Sequence, residues 1–517
     1  RQLSTEAILQ KVLSPLSADA LILQQAKGDA GARATLTAAF NDPMFTSLIR
    51  DLPHVVPMVV RLELFRRVLL TQCRLREGDD SPGNEGHMPT RLKMKVRRTH
   101  CLDDSMARLA AIAASTDGVG GTGGGGAAAG GGGSGLGRIR AALKYKFFVQ
   151  FVDADGQMEA GIDGGGLFKE YLELVMKQVV DPARGLFTTV GAAEGHTGGT
   201  LSPNPCAVAI VGSAAAASEA YRFLGRMMGK ALLEGIVIPF CYSRNFLANL
   251  LGRGCSLEDL QFLDPDQYRS LNSLKSMNPE DVAELELFMC AEESIFGGSS
   301  HMQVTDLEPN GRNILVTGDN CIRYVHRMAH HRLTASIQFA TQQCLLGLED
   351  VIQMSWLQMF SVSEFARLLH GQTDGGRGGC SDVSDDGDVT AGFDVADLRA
   401  NVTFVGGYNA KSRTIELLWE VLSEMSAADR GSFLKFCTGS SRPPLFGFAA
   451  MNPPFSIRRA EDEQGGRGFL NYVMDIDRLP SAATCFNLLK LPPYKNKSNI
   501  RDKLLAAIRC DSGFQLS

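Results

Sequence analysis

The sequence predicts an α+β fold with two lobes, a large and mostly helical one followed by a smaller α/β one. Apolar residues recur at helical spacing through most of residues 167–370, whereas short strand-like runs and turns dominate after residue 403. The chain has 517 residues, of which 44% are hydrophobic and 21% charged. That composition is globular, and the length is sufficient for two or more cores.

A helical extension is predicted ahead of both lobes, over residues 1–90. Its clearest helix lies in "VVPMVVRLELFRRVLLTQC", and a polar segment rich in Gly and Pro closes it at 76–90. The chain begins with Arg1 rather than Met, so we interpret it as a fragment or a processed form, in which any targeting signal upstream is not visible.

The large lobe is predicted to span residues 91–402. Residues 91–100 alternate like a strand, and "LFKEYLELVMKQVV" at 167–180 forms an amphipathic helix. Two insertions of low complexity, at about 118–137 and 371–393, are expected to be disordered because they cannot bury a core. "NCIRYVHRMAHHRLTASIQFATQQCLLGL" reads as one long helical stretch.

The smaller lobe is predicted to span residues 403–517. After "DVADLRAN" the pattern changes to "VTFVGGY", then to the helix "SRTIELLWEVLSEM", and then to strand-like segments. We therefore place the boundary between the lobes near 397–403.

Charge and composition exclude several classes of function. The net charge is −5 and no basic patch dominates, so nucleic acid is a poor partner; no apolar run is long enough for a membrane span. The 12 cysteines are scattered without CxxC pairs, which indicates reduced thiols in the cytoplasm, with the nucleus as the alternative. We expect no cofactor and no metal.

Two motifs that suggest ligand sites fail on inspection. "AGIDGGGLFKEY" lacks the GxGxxG spacing, and "GRMMGKA" is one residue short of a phosphate-binding loop and ends in Ala231 where a Ser or Thr is needed. His326, His330 and His331 offer an i,i+4 pair but no assisting carboxylate, so a structural helix face is favoured over a metal site.

Cys485 is the candidate for a catalytic nucleophile. It lies in "RLPSAATCFNLLKLPPY", between Pro480 and Pro492, where a loop tip can present one thiol as a nucleophile. Spacing alone still favours a buried structural cysteine. A cysteine hydrolase is unsupported, because no histidine follows residue 370 to act as its base.

The residues around Cys485 resemble the active-site loop of the HECT ubiquitin ligases, "LP[TS]xxTCFNxLxLPxY". The resemblance covers about residues 91–517, through "EAGIDGGGLFKEYL", "FLGRMMGKALLEGI", "VTGDN", "FLKFCTGSSRPPLFGF" and "GFQLS" in the family's order. "RPPLFGF" and the tail are most similar to the branch with an N-terminal IQ motif. This resemblance implies a bilobal fold in which the large, mostly helical N-lobe binds a ubiquitin-loaded E2 and the small α/β C-lobe carries the cysteine. It also implies a hinge between the lobes, at the boundary near 397–403.

The resemblance also implies site residues. Cys485 would form the thioester with ubiquitin and pass it to substrate lysines, with Thr484 beside it and Phe514, fourth from the C-terminal end, assisting the transfer. The E2-binding groove would be apolar and carried by the matching positions Leu271, Leu274, Leu287, Tyr324 and Met328. The same side chains could instead simply fill the core of that subdomain.

Two departures from the family pattern leave an alternative open. Ala483 stands where many members have His, which removes a histidine proton shuttle, and "LSPNP" replaces "LYPNP" at 201–205. A non-catalytic adaptor that keeps the fold and binds E2 or ubiquitin is therefore the second hypothesis.

Overall fold

The computed structural model describes parts of residues 58–69 and most of the chain from 91 to 509. The described ranges are 91–114, 135–153, 156–158, 166–190, 200–238, 240–294, 302–371, 393–439, 443–444, 447–451, 453–460 and 478–509. Within them, buried apolar residues form a large core from Leu64 to Leu369, a middle core from Leu257 to Leu333 and a C-terminal core from Phe393 to Leu504.

The described residues between 58 and 69 are helical and pack into the large core. Phe65 is fully buried there, with its ring edge-on to Phe360. Arg61 is only 4% exposed, and it donates to the Met359 carbonyl at 2.6 Å and to both carboxylate oxygens of Glu364. This segment is therefore tied to the end of the large core by burial and by a bidentate ion pair.

Among its described residues, the first part of the large core combines two small sheets with six helices. Strands β1 and β2 pair in parallel, and β3 and β4 pair antiparallel. The elements are β1 (Arg91–Arg97), α1 (Cys101–Ala114), α2 (Gly135–Leu143), β2 (Lys146–Val152), α3 (Gly166–Val179), β3 (Phe187–Val190), β4 (Thr200–Pro203), α4 (Ala207–Val211), α5 (Ala214–Glu234) and α6 (Arg244–Leu250).

The middle core is a small α+β unit inserted between helices of the large core. Its two strands pair antiparallel, Cys290 opposite Asp306. Its elements are α7 (Leu260–Leu263), α8 (Pro265–Leu274), α9 (Pro279–Glu284), β5 (Cys290–Ser294), β6 (Met302–Asp306) and α10 (Cys321–His330). Helix α8 starts at Pro265 because the Asp264 side chain accepts from Gln267 N at 2.9 Å.

The stretch at 320–348 is helical, as expected, but it is divided into separate helical segments. Helix α10 passes into a π-helical turn, His331–Ala335, and only then into α11 (Gln338–Glu349). The Leu333 carbonyl inside this turn accepts from the side chains of Asn245 at 3.1 Å and Asn249 at 2.8 Å. These amides satisfy backbone that the widened turn frees, and the interruption marks the junction of the middle and large cores.

The large core closes with α11, α12 (Met354–Leu357) and α13 (Val362–His370). Helices α5 and α11 touch backbone to backbone, since a Cβ at Gly225 would lie 1.9 Å from the Cys344 carbonyl oxygen. "GRMMGKA" thus lies inside a helix, and Lys230 is fully buried, donating to the Tyr145 carbonyl and to Glu234. This geometry explains why the segment is not a phosphate-binding loop.

The C-terminal core is a four-stranded sheet in the order β7-β8-β10-β9 with helices packed on it. The neighbours β7, β8 and β10 are parallel, whereas β9 is antiparallel to β10 at the edge. The elements are α14 (Val395–Asn401), β7 (Thr403–Val405), α15 (Arg413–Glu424), α16 (Ala427–Thr438), β8 (Ser456–Arg459), β9 (Ser481–Ala483), β10 (Leu488–Leu491) and α17 (Lys497–Arg509).

Core membership changes between residues 370 and 393. Leu369 belongs to the large core, whereas Phe393 and Leu398 belong to the C-terminal core. The Asp397 carboxylate accepts from the Phe448 backbone N–H at 3.0 Å, which fixes α14 to the C-terminal unit. The segment 397–401 is therefore a packed helix.

The predicted insertion at 118–137 ends earlier than expected. Gly135 already begins α2, and a Cβ at this position would lie 3.0 Å from the Ala113 carbonyl oxygen. The absence of a side chain lets α2 fold back closely on the end of α1. Residues 115–134 and 372–392, which hold most of the two predicted insertions, lie outside the described residues.

Candidate active site

Cys485 lies at the end of a hairpin on the edge of the C-terminal sheet. Strand β9 ends at Ala483, a single 3₁₀ turn spans Thr484–Phe486, and β10 begins at Leu488. Ala483 pairs with Leu488 across the hairpin, so the turn that we call the catalytic turn, residues 484–487, projects beyond the last paired residues. Ala483, the position of the departure from the family pattern, is the last residue of β9 and is half-buried.

Asn487 closes the catalytic turn and fixes its shape. Its backbone is left-handed, with φ 48, and its side chain is 1% exposed. Its backbone N–H donates to the Thr484 carbonyl at 3.2 Å, and its own carbonyl accepts from Ser456 N at 2.9 Å. Its side-chain Nδ2 donates to the Pro453 carbonyl at 2.6 Å. Asn tolerates this conformation better than most residues, and its amide joins the turn to the start of β8.

The residues that flank the turn hold its ends. Tyr494 is 1% exposed and its hydroxyl donates to the Arg478 carbonyl. This hydrogen bond joins the two ends of the segment "RLPSAATCFNLLKLPPY". The Tyr494 carbonyl in turn accepts from Thr414 Oγ1 at 3.0 Å. Thr484 is half-buried beside Gly439, the left-handed residue that ends α16. The turn is therefore braced from several elements of the C-terminal core.

Exposed apolar side chains lie on either side of the turn. Leu479 is 41% exposed and Phe486 is 46% exposed, although both are large and apolar. Together with the bracing from below, they give the turn an open outer face that suits contact with a macromolecule.

Several other cysteines are poor nucleophiles because burial raises their thiol pKa. Burial raises the pKa of Cys101 to about 12 and that of Cys255 to about 11. Burial also raises the pKa of Cys344 and Cys437, both fully buried. Since the thiolate is the reactive form, these groups are inert near neutral pH.

Phe514, the tail residue, lies outside the described residues, which end at 509.

The residues expected to line the E2 groove meet in the middle core. Leu271, Leu274, Tyr324 and Met328 are 4%, 8%, 7% and 6% exposed, and Leu287 is half-buried against them. Burial raises the pKa of the Tyr324 hydroxyl. The structure thus brings the whole set together, mostly beneath the surface rather than on it.

Sequence reasoning missed the exposed apolar side chains of the same unit. Phe288 and Leu315 face each other across an isolated antiparallel bridge and are 42% and 38% exposed. Leu285 is 45% exposed and Ile322, at the start of α10, is 50% exposed. We call these four residues the apolar rim. A run such as "ELELF" gives no sign of which leucine points outward, so only the packing separates the rim from the core.

The histidines of "HRMAHHR" do not form a metal site. His326 and His330 are exposed and line a shallow depression with Arg323 and Arg327, while His331 is buried with its Nε2 3.4 Å from Glu293 Oε1. Across the described parts of the chain, no group of three or more His, Cys, Asp or Glu side chains is placed to hold a metal ion. Likewise, none of the described helices has the length and hydropathy needed to cross a membrane.

Comparison with known proteins gives one consistent result. The family model described as HECT-domain (ubiquitin-transferase) matches residues 173–517. Ubiquitin-protein ligase E3B of Mus musculus is 33% identical over 488 residues, which cover 91% of this chain and 40% of that protein. E3 ubiquitin-protein ligase UPL6 of Arabidopsis thaliana is 31% identical over 470 residues, covering 91% of this chain and 39% of that protein.

A yeast relative extends the result. E3 ubiquitin-protein ligase HUL5 of Saccharomyces cerevisiae is 34% identical over 385 residues, covering 74% of this chain and 37% of that protein. The chain thus spans 37–40% of the length of these three relatives.

Proposed function

The chain belongs to the HECT-domain family of ubiquitin transferases, and on that premise we propose that it is an E3 ligase that carries ubiquitin as a thioester on Cys485. Ubiquitin would come from an E2 conjugating enzyme and pass to lysines of protein substrates. The observation that supports this most is the braced catalytic turn, which places Cys485 at the end of the hairpin on the edge of the C-terminal sheet.

Transfer of ubiquitin from the E2 to Cys485 requires correct positioning of the reacting groups more than a thermodynamic driving force. The Cys485 sulfur bonds to the C-terminal carbonyl carbon of ubiquitin while the carbon–sulfur bond to the E2 cysteine breaks, and the E2 leaves as a thiolate. One thioester replaces another, so the protein contributes mainly by holding the groups in place. Thr484 would serve here by shaping the turn, since its carbonyl accepts the Asn487 N–H.

The experiment that tests this function follows ubiquitin onto the chain in the presence of E1, a compatible E2 and ATP. The expected product is an adduct that a thiol reductant releases, and Cys485→Ala should abolish it. Cys290→Ala is the matched control, because Cys290 is half-buried and lies in β5, outside the C-terminal core. An adduct that survives in Cys485→Ala would refute the assignment.

A non-catalytic adaptor is the second candidate, and Ala483 is the observation that favours it. A residue that lacks a proton-transferring side chain occupies the position just before Thr484. Under this alternative the wild-type protein binds the E2 and forms no thiol-labile adduct, so the same experiment separates the two.

Docking of the E2 would use the middle core. We propose that the apolar rim makes the direct contact, with Leu271, Leu274, Leu287, Tyr324 and Met328 supporting it from below. Exposed large apolar side chains grouped on one small unit are typical of protein interfaces, in which a few anchors supply most of the binding energy.

The tail residue Phe514 would act in transfer to lysine. A Phe in a short polar tail gains about 1.5–3 kcal/mol from burial, so it should occupy a pocket. If it assists transfer, Phe514→Ala keeps thioester formation and slows discharge to lysine. If it only completes the C-terminal core, the melting temperature and both steps fall together.

The domain division follows from the same proposal. The N-lobe would span 91–402 and the C-lobe 403–517, behind the helical extension 1–90. Because Phe393 and Leu398 pack in the C-terminal core, we propose that the unit that carries Cys485 moves together with the described residues from 393 onward, rather than from 403. The scattered cysteines and the E2 partner are consistent with a cytoplasmic or nuclear protein.

A further inference from the structure

The catalytic turn rests on a helix of the large core. Helix α3 lies against the 3₁₀ turn Thr484–Phe486. At this place Lys169 Nζ donates to Asn487 Oδ1 at 3.1 Å. These residues are 318 positions apart, so the bond joins the two lobes of the proposed ligase.

Asn487 is a rigid acceptor for this bond. Its Nδ2 is already committed to the Pro453 carbonyl at 2.6 Å, which fixes the orientation of the amide and turns Oδ1 towards α3. Its backbone is held at both ends by bonds to Thr484 and Ser456. A force on Oδ1 is therefore transmitted to the turn that carries Cys485, two residues away.

Lys169 is supported just as firmly on the donor side. It is half-buried in the first turn of α3, directly after Phe168, which is 7% exposed in the large core. The next residue, Glu170, pairs with Arg98, and that guanidinium stacks 4.1 Å from the centre of the Phe151 ring. The base of the Lys169 side chain is thus fixed by the packing of α3 on β2.

We propose that Lys169 is a positioning residue that docks the catalytic turn on the large core for discharge of ubiquitin from Cys485 to lysine. This rests on the proposed function. Loading engages an E2 seated on the middle core, whereas here the turn sits on α3 of the large core. The arrangement with Lys169 bound to Asn487 therefore serves the step that follows loading.

In that step the substrate amine nitrogen bonds to the ubiquitin carbonyl carbon, and the carbon–sulfur bond to Cys485 breaks. Cys485 leaves as a thiolate, and the proton lost by the amine passes to the thiolate or to solvent. The products are an isopeptide bond and a free thiol. Lys169 touches none of the reacting atoms in this scheme; it acts through Asn487.

The test separates loading from discharge in Lys169→Met, which keeps the aliphatic stem and removes the ammonium. Loading is the single-turnover rate of transfer from E2 to the chain. Discharge is the loss of the preformed adduct to free lysine after further charging is stopped. We expect discharge to slow by about tenfold and loading to stay within about twofold of wild type.

Lys177→Met is the matched control, since Lys177 lies on the same helix, is exposed and pairs with Glu173 within that helix. It should leave both rates unchanged, and Lys169→Arg, which keeps a charged donor, should recover most of the discharge rate. If Lys169→Met lowers the melting temperature, Lys169→Leu, which also lacks a donor, repeats the test.

Normal discharge in a folded Lys169→Met variant, or slowed loading with normal discharge, would overturn the proposal. Failure of the wild-type protein to form any thiol-labile adduct would instead overturn the proposed function, so the two failures are distinguishable.

Discussion

The catalytic turn and the middle core present their functional residues in opposite ways. In the turn, the proposed site residues Thr484, Cys485 and Asn487 all come from one short contiguous motif at the end of a hairpin. In the middle core, the residues expected to bind the E2 come from 271 to 328 and are mostly buried, while the exposed apolar rim consists of different residues. Local chemistry can therefore be recognised in sequence, whereas a docking surface depends on which apolar side chains the packing leaves outside.

The largest effect should come from Tyr324→Ala. Tyr324 is 7% exposed in the middle core, so removing its ring leaves a cavity that costs about 3–5 kcal/mol. We expect the middle core to lose its protection from hydrogen exchange and E2 affinity to fall with it. Retained protection with lost E2 binding would instead make Tyr324 a direct contact, and the distinction between rim and core would fail.

Replacement of Asn487 tests the opposite region. Asn487→Ala removes the side-chain hydrogen bond to the Pro453 carbonyl and replaces Asn with a residue that tolerates φ 48 less well, which together should cost about 2–4 kcal/mol. Asn487→Gly avoids the backbone cost of roughly 1 kcal/mol, but it still lacks the hydrogen bonds of the Asn side chain. We expect both variants to lose ubiquitin transfer, with the Gly variant melting higher.

Equal melting temperatures of the two Asn487 variants would show that the left-handed backbone is not a significant constraint on the turn. Normal transfer in the Gly variant would show that the side-chain amide is dispensable.

A smaller effect is expected at the apolar rim. Phe288→Ser should leave the melting temperature nearly unchanged, because the ring is 42% exposed, and weaken E2 binding by about 1–3 kcal/mol. Leu346→Ser is the matched control, since Leu346 is 40% exposed on α11, outside the middle core. Titration of labelled E2 measures both. Unchanged affinity in Phe288→Ser would place the docking surface elsewhere.

The smallest effect is a response of the middle core to acid. Burial favours the neutral form of Glu293, but the neighbouring His331 and Arg332 outweigh it and lower the pKa of this carboxyl. A carboxyl with a lowered pKa in the folded state stabilises the protein above its ordinary pKa of about 4.3, and that stabilisation is lost as the pH falls through the lower, folded-state value.

Hydrogen exchange in the middle core should therefore accelerate more than in β10 when the pH is lowered from about 7 to well below the ordinary glutamate pKa of about 4.3, after correction for intrinsic exchange rates. Glu293→Gln should remove the difference between the regions. An unchanged difference in that variant would assign the acid response to other groups.

Prediction from sequence succeeded where the signal is local. The alternation of 91–100 gives β1, and the amphipathic pattern of 167–180 gives α3, one residue from its observed start. The π turn at 331–335 could not be predicted, because it depends on Asn245 and Asn249 reaching the Leu333 carbonyl from another helix.

The candidate site shows the same limit. The thiol and its turn follow from "TCFN", but the bond from Lys169 to Asn487 exists only once the lobes are packed. Nor does sequence periodicity separate Leu285, which is 45% exposed, from Leu271, which is 4% exposed, since both occur in amphipathic runs. Packing between distant segments decides these features.

The central claim is that ubiquitin is carried on Cys485, and mapping the adduct tests it most directly. The wild-type adduct is trapped at acidic pH without reductant, digested, and examined by mass spectrometry. We predict the C-terminal peptide of ubiquitin joined through a thioester to the peptide that contains Cys485, and cleaved from it by a thiol reductant. Ubiquitin bound to any other cysteine, or joined through a bond that the reductant leaves intact, would contradict the account.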